Sequence, residues 1–236
     1  IKVRGYEKKI PFIYGIDYLT HDIPVGILAP SENSQASAKF FKLLKICNYP
    51  LQIVICDDTT ALKNGLEFNY TKARIQLCHT HYLENIRQLL KVRTETRYQP
   101  FFFELLDAFR QKTHYEKRNF IFRKLYAKYG RKDKTIELIL ADILKRYEEL
   151  FAFSYRMKKC PNTNNLIEGY NSHLNGRLKT IKGFESFHSA ERWLNAWMVR
   201  RRTKELTDCG EPFKHLNGKC SLEMSIKNEE DLPKLF

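Results

Sequence analysis

The sequence predicts a mixed α/β fold: a five-stranded sheet with flanking helices, interrupted by an all-helical insertion. Three observations carry this. Apolar, β-branched and aromatic runs follow one another closely through residues 1–29. Helical and strand-like patterns then alternate to residue 78. Strand signals disappear from Tyr82 onward, where clustered aromatic and aliphatic residues sit among Lys, Arg and Glu.

Residues 1–5 read as the tail of a first strand, and Gly5 with Tyr6-Glu7-Lys8-Lys9 as a turn. The Ile- and Tyr-rich run Ile10–Leu19 reads as a second strand. Thr20-His21-Asp22 reads as a hairpin turn and Ile23–Ala29 as a third strand. A helix starts within Pro30–Ser34, with Ala38, Phe41, Leu44 and Ile46 at helical spacing, and ends at Asn48-Tyr49-Pro50. Leu51–Cys56 is short and wholly apolar, as in a central strand covered on both faces. Thr59–Gly65 reads as a short helix and Ala73–Cys78 as the fifth strand. Three antiparallel strands followed by alternating helix and strand describe an RNase H-like architecture.

The division expected from this is residues 1–81 as the first part of the core, its first strand truncated, and 82–160 as the helical insertion. Residues 161–204 are helices completing the core, and 205–236 an irregular tail containing Gly210, Pro212, Gly218 and Pro233. The insertion holds about four amphipathic helices, with breaks at Pro100 and Gly130, and the pattern from Asn165 breaks at Lys182-Gly183.

Composition narrows the function. The chain has 236 residues, 43% hydrophobic and 13% aromatic, enough for a core without staples. Its 41 basic and 27 acidic residues give a net charge of +14, which favours a polyanionic partner such as nucleic acid. The six cysteines are irregularly spread, unlike a secreted disulfide framework. Cys47 and Cys56 have apolar neighbours and read as buried thiols. No apolar run approaches the roughly 20 residues that span a membrane, and Ile-Lys-Val-Arg-Gly is no signal peptide. Without an initiator Met the sequence reads as a piece of a longer intracellular protein, in the cytoplasm or nucleoid of a bacterium or the nucleus of a eukaryote.

Two segments place a carboxylate at the edge of a regular element. Ile55-Cys-Asp57-Asp58 ends a buried strand, where ligand sites open in α/β sheets, and Asn165-Leu-Ile-Glu168 starts a helix. Such acids, far apart in sequence, suit magnesium-dependent phosphoryl transfer. Each also has a structural reading. Asp58 suits a cap on the following helix, and Asn165 to Glu168 fits a capping box. Arg177, Lys179, Lys182, Arg192, Arg200, Arg201, Arg202 and Lys204 form a basic segment suited to neutralising phosphates, or to a solvated face. Trp193 and Trp197 lie one helical turn apart and share a face, as core residues or as a base-stacking device. Cys209, His215 and Cys220 are a remote possible zinc set.

Three linked stretches occur in order: Asp57-Asp-Thr-Thr-Ala-Leu-Lys-Asn-Gly-Leu, Ala73-Arg-Ile-Gln-Leu-Cys78-His-Thr-His81-Tyr-Leu-Glu-Asn and Thr163-Asn-Asn-Leu-Ile-Glu168. With the helical insertion before the glutamate, the combination resembles the DDE transposases of the Mutator type over most of residues 1–204. That resemblance implies a DNA transposase core holding two Mg2+ or Mn2+ ions, with Asp57 the second acid and Glu168 the third. It implies double-stranded DNA as partner, both transposon ends and target, and a homo-oligomer in the intact enzyme. Cys78 and His81 match the family's Cys-x2-His. Their expected role is structural, in support of the metal ligands, or a DNA contact, with plain packing as the alternative; two ligands do not make a zinc site.

The resemblance places the first catalytic Asp upstream of Ile1, so two of three acids are expected here and the fragment is expected to be inactive. Asp17, on the second predicted strand, is the fallback first acid, which would make the chain a nuclease as it stands. The other alternative is a non-catalytic DNA-binding or regulatory descendant that keeps the basic face.

Overall fold

The structure is a computed structural model that describes residues 1–152 and 160–226. Parts of the predicted insertion (153–159) and tail (227–236) fall outside the described residues. The chain is mixed α/β and mostly helical, and it divides into two compact units. One contains Ile1–Pro50, Thr60–Thr71 and the chain from Asn165 onward; the other contains Leu51–Thr59 and Lys72–Asn164.

In the first unit, β1 (Phe12–Tyr14) pairs antiparallel with β2 (Gly26–Leu28), Phe12 opposite Leu28 and Tyr14 opposite Gly26. Both strands are far shorter than the predicted runs 10–19 and 23–29. The cause is local. Asp17 Oδ1 accepts hydrogen bonds from Leu19 N and Thr20 N, both at 2.8 Å, and from Thr20 Oγ1 at 3.1 Å. These bonds capture backbone donors that a longer ladder would need, and His21 turns the chain with φ at 57°. Nor does segment 1–5 form a first strand in a sheet. Val3 makes one parallel bridge, to Phe184, and Ile10 N donates to Ile1 O at 2.7 Å.

Helix α1 (Ser34–Ile46) starts where Asn33 Oδ1 accepts from Ala36 N at 2.9 Å. It buries Phe40, Phe41 and Leu44, but Ile46 is exposed. Cys47, read as buried, is exposed, because the helix ends there and Asn48 takes a left-handed φ of 51°. Helix α2 (Thr60–Asn69) runs past Gly65. A Cβ on Gly65 would lie 2.7 Å from the α1 backbone at Ala38, so glycine here permits a close helix crossing.

In the second unit, β3 (Ile53–Cys56) and β4 (Arg74–Leu77) pair in parallel, Ile53 opposite Arg74 and Cys56 opposite Leu77. Among the described residues the strands thus make two two-stranded sheets and not one sheet of five. With one hydrogen-bonded neighbour, β3 leaves Ile53, Val54 and Ile55 only half-buried, and Cys56 alone is buried.

The described residues after β4 and before Asn165 are mostly helical, in more pieces than four. After α3 (His79–Leu89) come α4 (Gln99–Arg110), α5 (His114–Asn119), α6 (Lys134–Lys145) and α7 (Tyr147–Leu150). A wide-turned π-helical stretch, Phe120–Gly130, continues α5. Pro100 sits in the first turn of α4, where its missing N–H costs nothing, and Gly130 ends the π-helical stretch. Thr113 with Glu116 forms a capping box, and Asp133 caps α6. Phe101, Leu105, Ile121, Leu125, Ile143, Leu150 and Phe151 are fully buried at the centre.

The first unit is completed by α8 (Asn165–Thr180) and α9 (Phe187–Thr203), separated at Lys182-Gly183 as predicted, both with positive φ. Tyr170, Leu174, Leu194 and Trp197 from these helices pack on Tyr14, Ile23 and Leu28. The short α10 (Ser221–Ser225) packs on α9. Among the described residues no helix is long and apolar enough to cross a membrane.

Candidate functional site

Asp57 follows directly on β3. The parallel ladder runs one residue further, Cys78 N donating to Cys56 O at 2.9 Å, which sets Cys78 beside the end of β3. Helix α3 begins at the next residue. Three residues on from Cys78 the helix has made most of a turn, so His81 lies back over its own start. His81 Nδ1 is 2.9 Å from Asp57 Oδ1 and 3.3 Å from Cys78 Sγ. The Cys-x2-His spacing is what brings both side chains to this strand end.

Asn164 closes the arrangement. Its Nδ2 donates to Asp57 Oδ1 at 3.0 Å, and its Oδ1 accepts from Cys78 Sγ at 3.2 Å. The segment carrying it is held where His79 N donates to Asn162 O at 2.9 Å. Asp57, His81, Cys78 and Asn164 thus form a closed polar ring, with the Asp57 side chain 47% and the His81 side chain 43% exposed. Among the described residues, Asp57 Oδ2 accepts no hydrogen bond. An open cavity of about 180 Å³ adjoins the ring, with Asp58, Tyr82 and Asn85 in its wall.

Asp58 has a role the sequence did not signal. It pairs with Arg146, whose Nε also donates to Asp142 at 3.0 Å. Tyr82 donates to the other Asp142 oxygen at 2.7 Å, and burial with that bond pushes its phenol above the usual range. His79 is buried against Phe109 and Phe151, and its Nε2 donates to Leu150 O at 2.5 Å. Desolvation lowers its pKa to about 4, so it is a neutral core residue.

Glu168 stands in the first turn of α8 and is exposed. Asp17 is engaged by its turn, and its Oδ2 accepts from the Tyr49 hydroxyl. Burial and that bond push the Tyr49 phenol up. Both Asp17 oxygens are therefore satisfied locally, which favours a structural role. The sequence also missed Asp22, 1% exposed, which accepts from Arg202 Nε at 2.8 Å and Nη2 at 2.9 Å. Ser221 Oγ donates to it as well, at 3.3 Å.

That pairing divides the basic segment. Arg202 faces Asp22, and Arg201 lies over the Tyr170 ring at 4.4 Å. Arg177, Arg200, Arg201 and Lys204, with His173, line an open groove of about 380 Å³ on the first unit, with Trp193 and Trp197 in its wall. Lys179, Lys182 and Arg192 are exposed but do not line it. Trp197 is largely core, edge-on to Phe12 and Tyr14, while Trp193 packs on Phe184 and is half-buried. His173 carried no sequence signal. Cys209, His215 and Cys220 do not converge: Cys220 Sγ donates to Thr203 O, and His215 Nδ1 lies 3.1 Å from Pro212 O.

The fold and its two sites define a mixed α/β protein with an accessible carboxylate at a strand end and a separate cationic groove. Residues 22–205 match the family described as transposase, Mutator family, and the chain belongs to that family. No curated protein matches it.

Proposed function

We propose that this chain supplies the catalytic core of DNA strand cleavage and strand transfer, with Asp57 and Glu168 as two of its metal-binding acids. The observation that carries the reading is the family match over residues 22–205. The element order strand, strand, helix, strand, helix, strand supports an RNase H-like core. Asp57 fits a hard divalent ion: it is a carboxylate, nearly half exposed, with one oxygen held by His81 and Asn164. Glu168, exposed at the start of α8, offers the same donor type. Asp57 and Glu168 would hold Mg2+ or Mn2+, which would supply Lewis acidity to an in-line displacement at phosphorus.

The chain's own groups do the rest. Asn164 and His81 fix the Asp57 carboxylate, so little reorganisation is needed on binding. Arg177, Arg200 and Lys204 neutralise backbone phosphates of double-stranded DNA along the groove. Assembly as a homo-oligomer belongs to the same reading.

The test is nicking of supercoiled plasmid by the longest natural protein containing this chain, with and without Mn2+. The expected result is ion-dependent nicking that drops by at least about 100-fold in Asp57→Asn and in Glu168→Gln. Nicking that survives both substitutions sinks the assignment. Salt-sensitive DNA binding without nicking, indifferent to Asp57→Asn and to divalent ions, would instead mark a DNA-binding descendant.

A further inference from the structure

The ring at the end of β3 holds more than a supported carboxylate. Among the described residues, Asp57, Cys78 and His81 are the one group of three or more metal-ligating side chains whose donor atoms converge, all within 4.8 Å of one another. A thiol, an imidazole and a carboxylate form a mixed donor set. Magnesium takes oxygen ligands almost alone, whereas zinc accepts sulfur, nitrogen and oxygen in one tetrahedral site.

The distances suit the smaller, softer ion. Tetrahedral zinc, with Zn–N of about 2.0 Å and Zn–S of about 2.3 Å, needs N···S edges of about 3.6 Å and O···N edges of about 3.3 Å. The chain presents 3.3 Å for His81 Nδ1 to Cys78 Sγ and 2.9 Å for His81 Nδ1 to Asp57 Oδ1. These two edges need to open by only a few tenths of an ångström, all three donor atoms lie within 4.8 Å of one another, and two of the three ligands reach solvent. Cys78 is 1% exposed, on the rigid junction of β4 and α3, so the sulfur is held in place. The cavity that the three ligands share with Asp58, Tyr82 and Asn85 has room for a water as fourth ligand.

We propose that Asp57, Cys78 and His81 bind a single Zn2+ ion. Binding replaces the Cys78 S–H bond with a sulfur–zinc bond and releases that proton to solvent. His81 coordinates through Nδ1 and carries its proton on Nε2. Asn164 loses the thiol as its donor and keeps its bond to Asp57. Zinc on Oδ1 leaves Asp57 Oδ2 as the carboxylate's remaining oxygen.

The test uses the full 236-residue chain, stripped with chelator, kept reduced, and titrated with Co2+ without DNA or Mg2+. The expected result is one Co2+ per chain, with the ultraviolet thiolate-to-cobalt band and the visible bands of a tetrahedral ion, all displaced by Zn2+. Cys78→Ser should remove the thiolate band, and Cys209→Ser, on the other unit, should leave it intact. His81→Gln, at a partly exposed position, guards against misfolding. It should keep the circular dichroism of the parent and weaken binding at least about tenfold. Absence of a thiolate band in the parent overturns the proposal, as does a band that survives Cys78→Ser or is lost with Cys209→Ser. Since no DNA is present, failure here leaves the strand-cleavage reading standing, and failure of nicking leaves this site standing.

Discussion

Asp57, directly after β3, and Asp22, in the turn region between β1 and β2, are treated in opposite ways. Asp22 is sealed: it is 1% exposed, with both oxygens on the Arg202 guanidinium and Ser221 Oγ on one of them. Asp57 is held on one oxygen by Asn164 and His81 and stands nearly half exposed beside a cavity. Residue type alone does not separate an acid open to a ligand from a sealed one. What separates them is how many of the acid's lone pairs the protein has already used. Asp17 falls on the structural side by the same measure, with four donors on its two oxygens.

The largest expected effect tests that contrast directly. Arg202→Ala leaves a buried carboxylate unpaired, which costs about 3–5 kcal/mol. Asp57→Asn, at an accessible site, changes stability by less than about 1 kcal/mol. Urea unfolding at neutral pH measures both. Equal losses would erase the distinction between a sealed acid and an available one.

A second contrast concerns histidines, since His79 and His81 begin the same helix. His79 is 5% exposed and its pKa lies at about 4 against an ordinary value of 6.5. The folded state therefore refuses a proton that the unfolded chain accepts. Stability from this residue is complete above pH 6.5 and is lost as pH falls toward 4, by about 3 kcal/mol in all. The neighbouring Lys117 charge acts in the same direction. His79→Phe should remove this part of the acid lability. It is tolerated because Leu150 O keeps its bond from Gln76 Nε2 at 2.7 Å. Unfolding curves at pH 7, 5 and 4 for parent and variant give the difference. An unchanged pH dependence would mean that the folded state takes up the His79 proton as readily as the unfolded chain does.

These contrasts also show what a sequence can reveal. The helix start within Pro30–Ser34, where Asn33 is the cap, was readable because capping is local. Cys78 and His81 stand out by their match to the Cys-x2-His of the family the chain resembles, and the start of α3 at His79 is what brings them together. The third member of that cluster was visible only as a separate acid, and nothing near residue 57 points to Asn164, 107 positions away. Likewise Arg202 looked like one more cation in a basic run, while its partner lies 180 residues earlier. The overlong strands were a local error. Asp17-Tyr-Leu-Thr20 is a turn sequence whose polar ends were outvoted by the Ile- and Tyr-rich run around it.

The smallest expected effect divides the basic face. Arg177, Arg200 and Lys204 line the groove, whereas Arg192 and Lys179 are equally exposed outside its lining. If the groove tracks a DNA backbone, each of its cations releases counterions on binding. Arg200→Gln or Lys204→Gln should then lower the slope of log affinity against log salt by about 0.9. Arg192→Gln should lower the slope less, because its side chain is not part of the groove's lining and screening weakens its pull on phosphates there. The measurement is fluorescence anisotropy of a labelled duplex over a salt series. Equal drops for Arg200→Gln and Arg192→Gln would mean that binding is spread over the whole basic surface, and the groove would lose its separate standing.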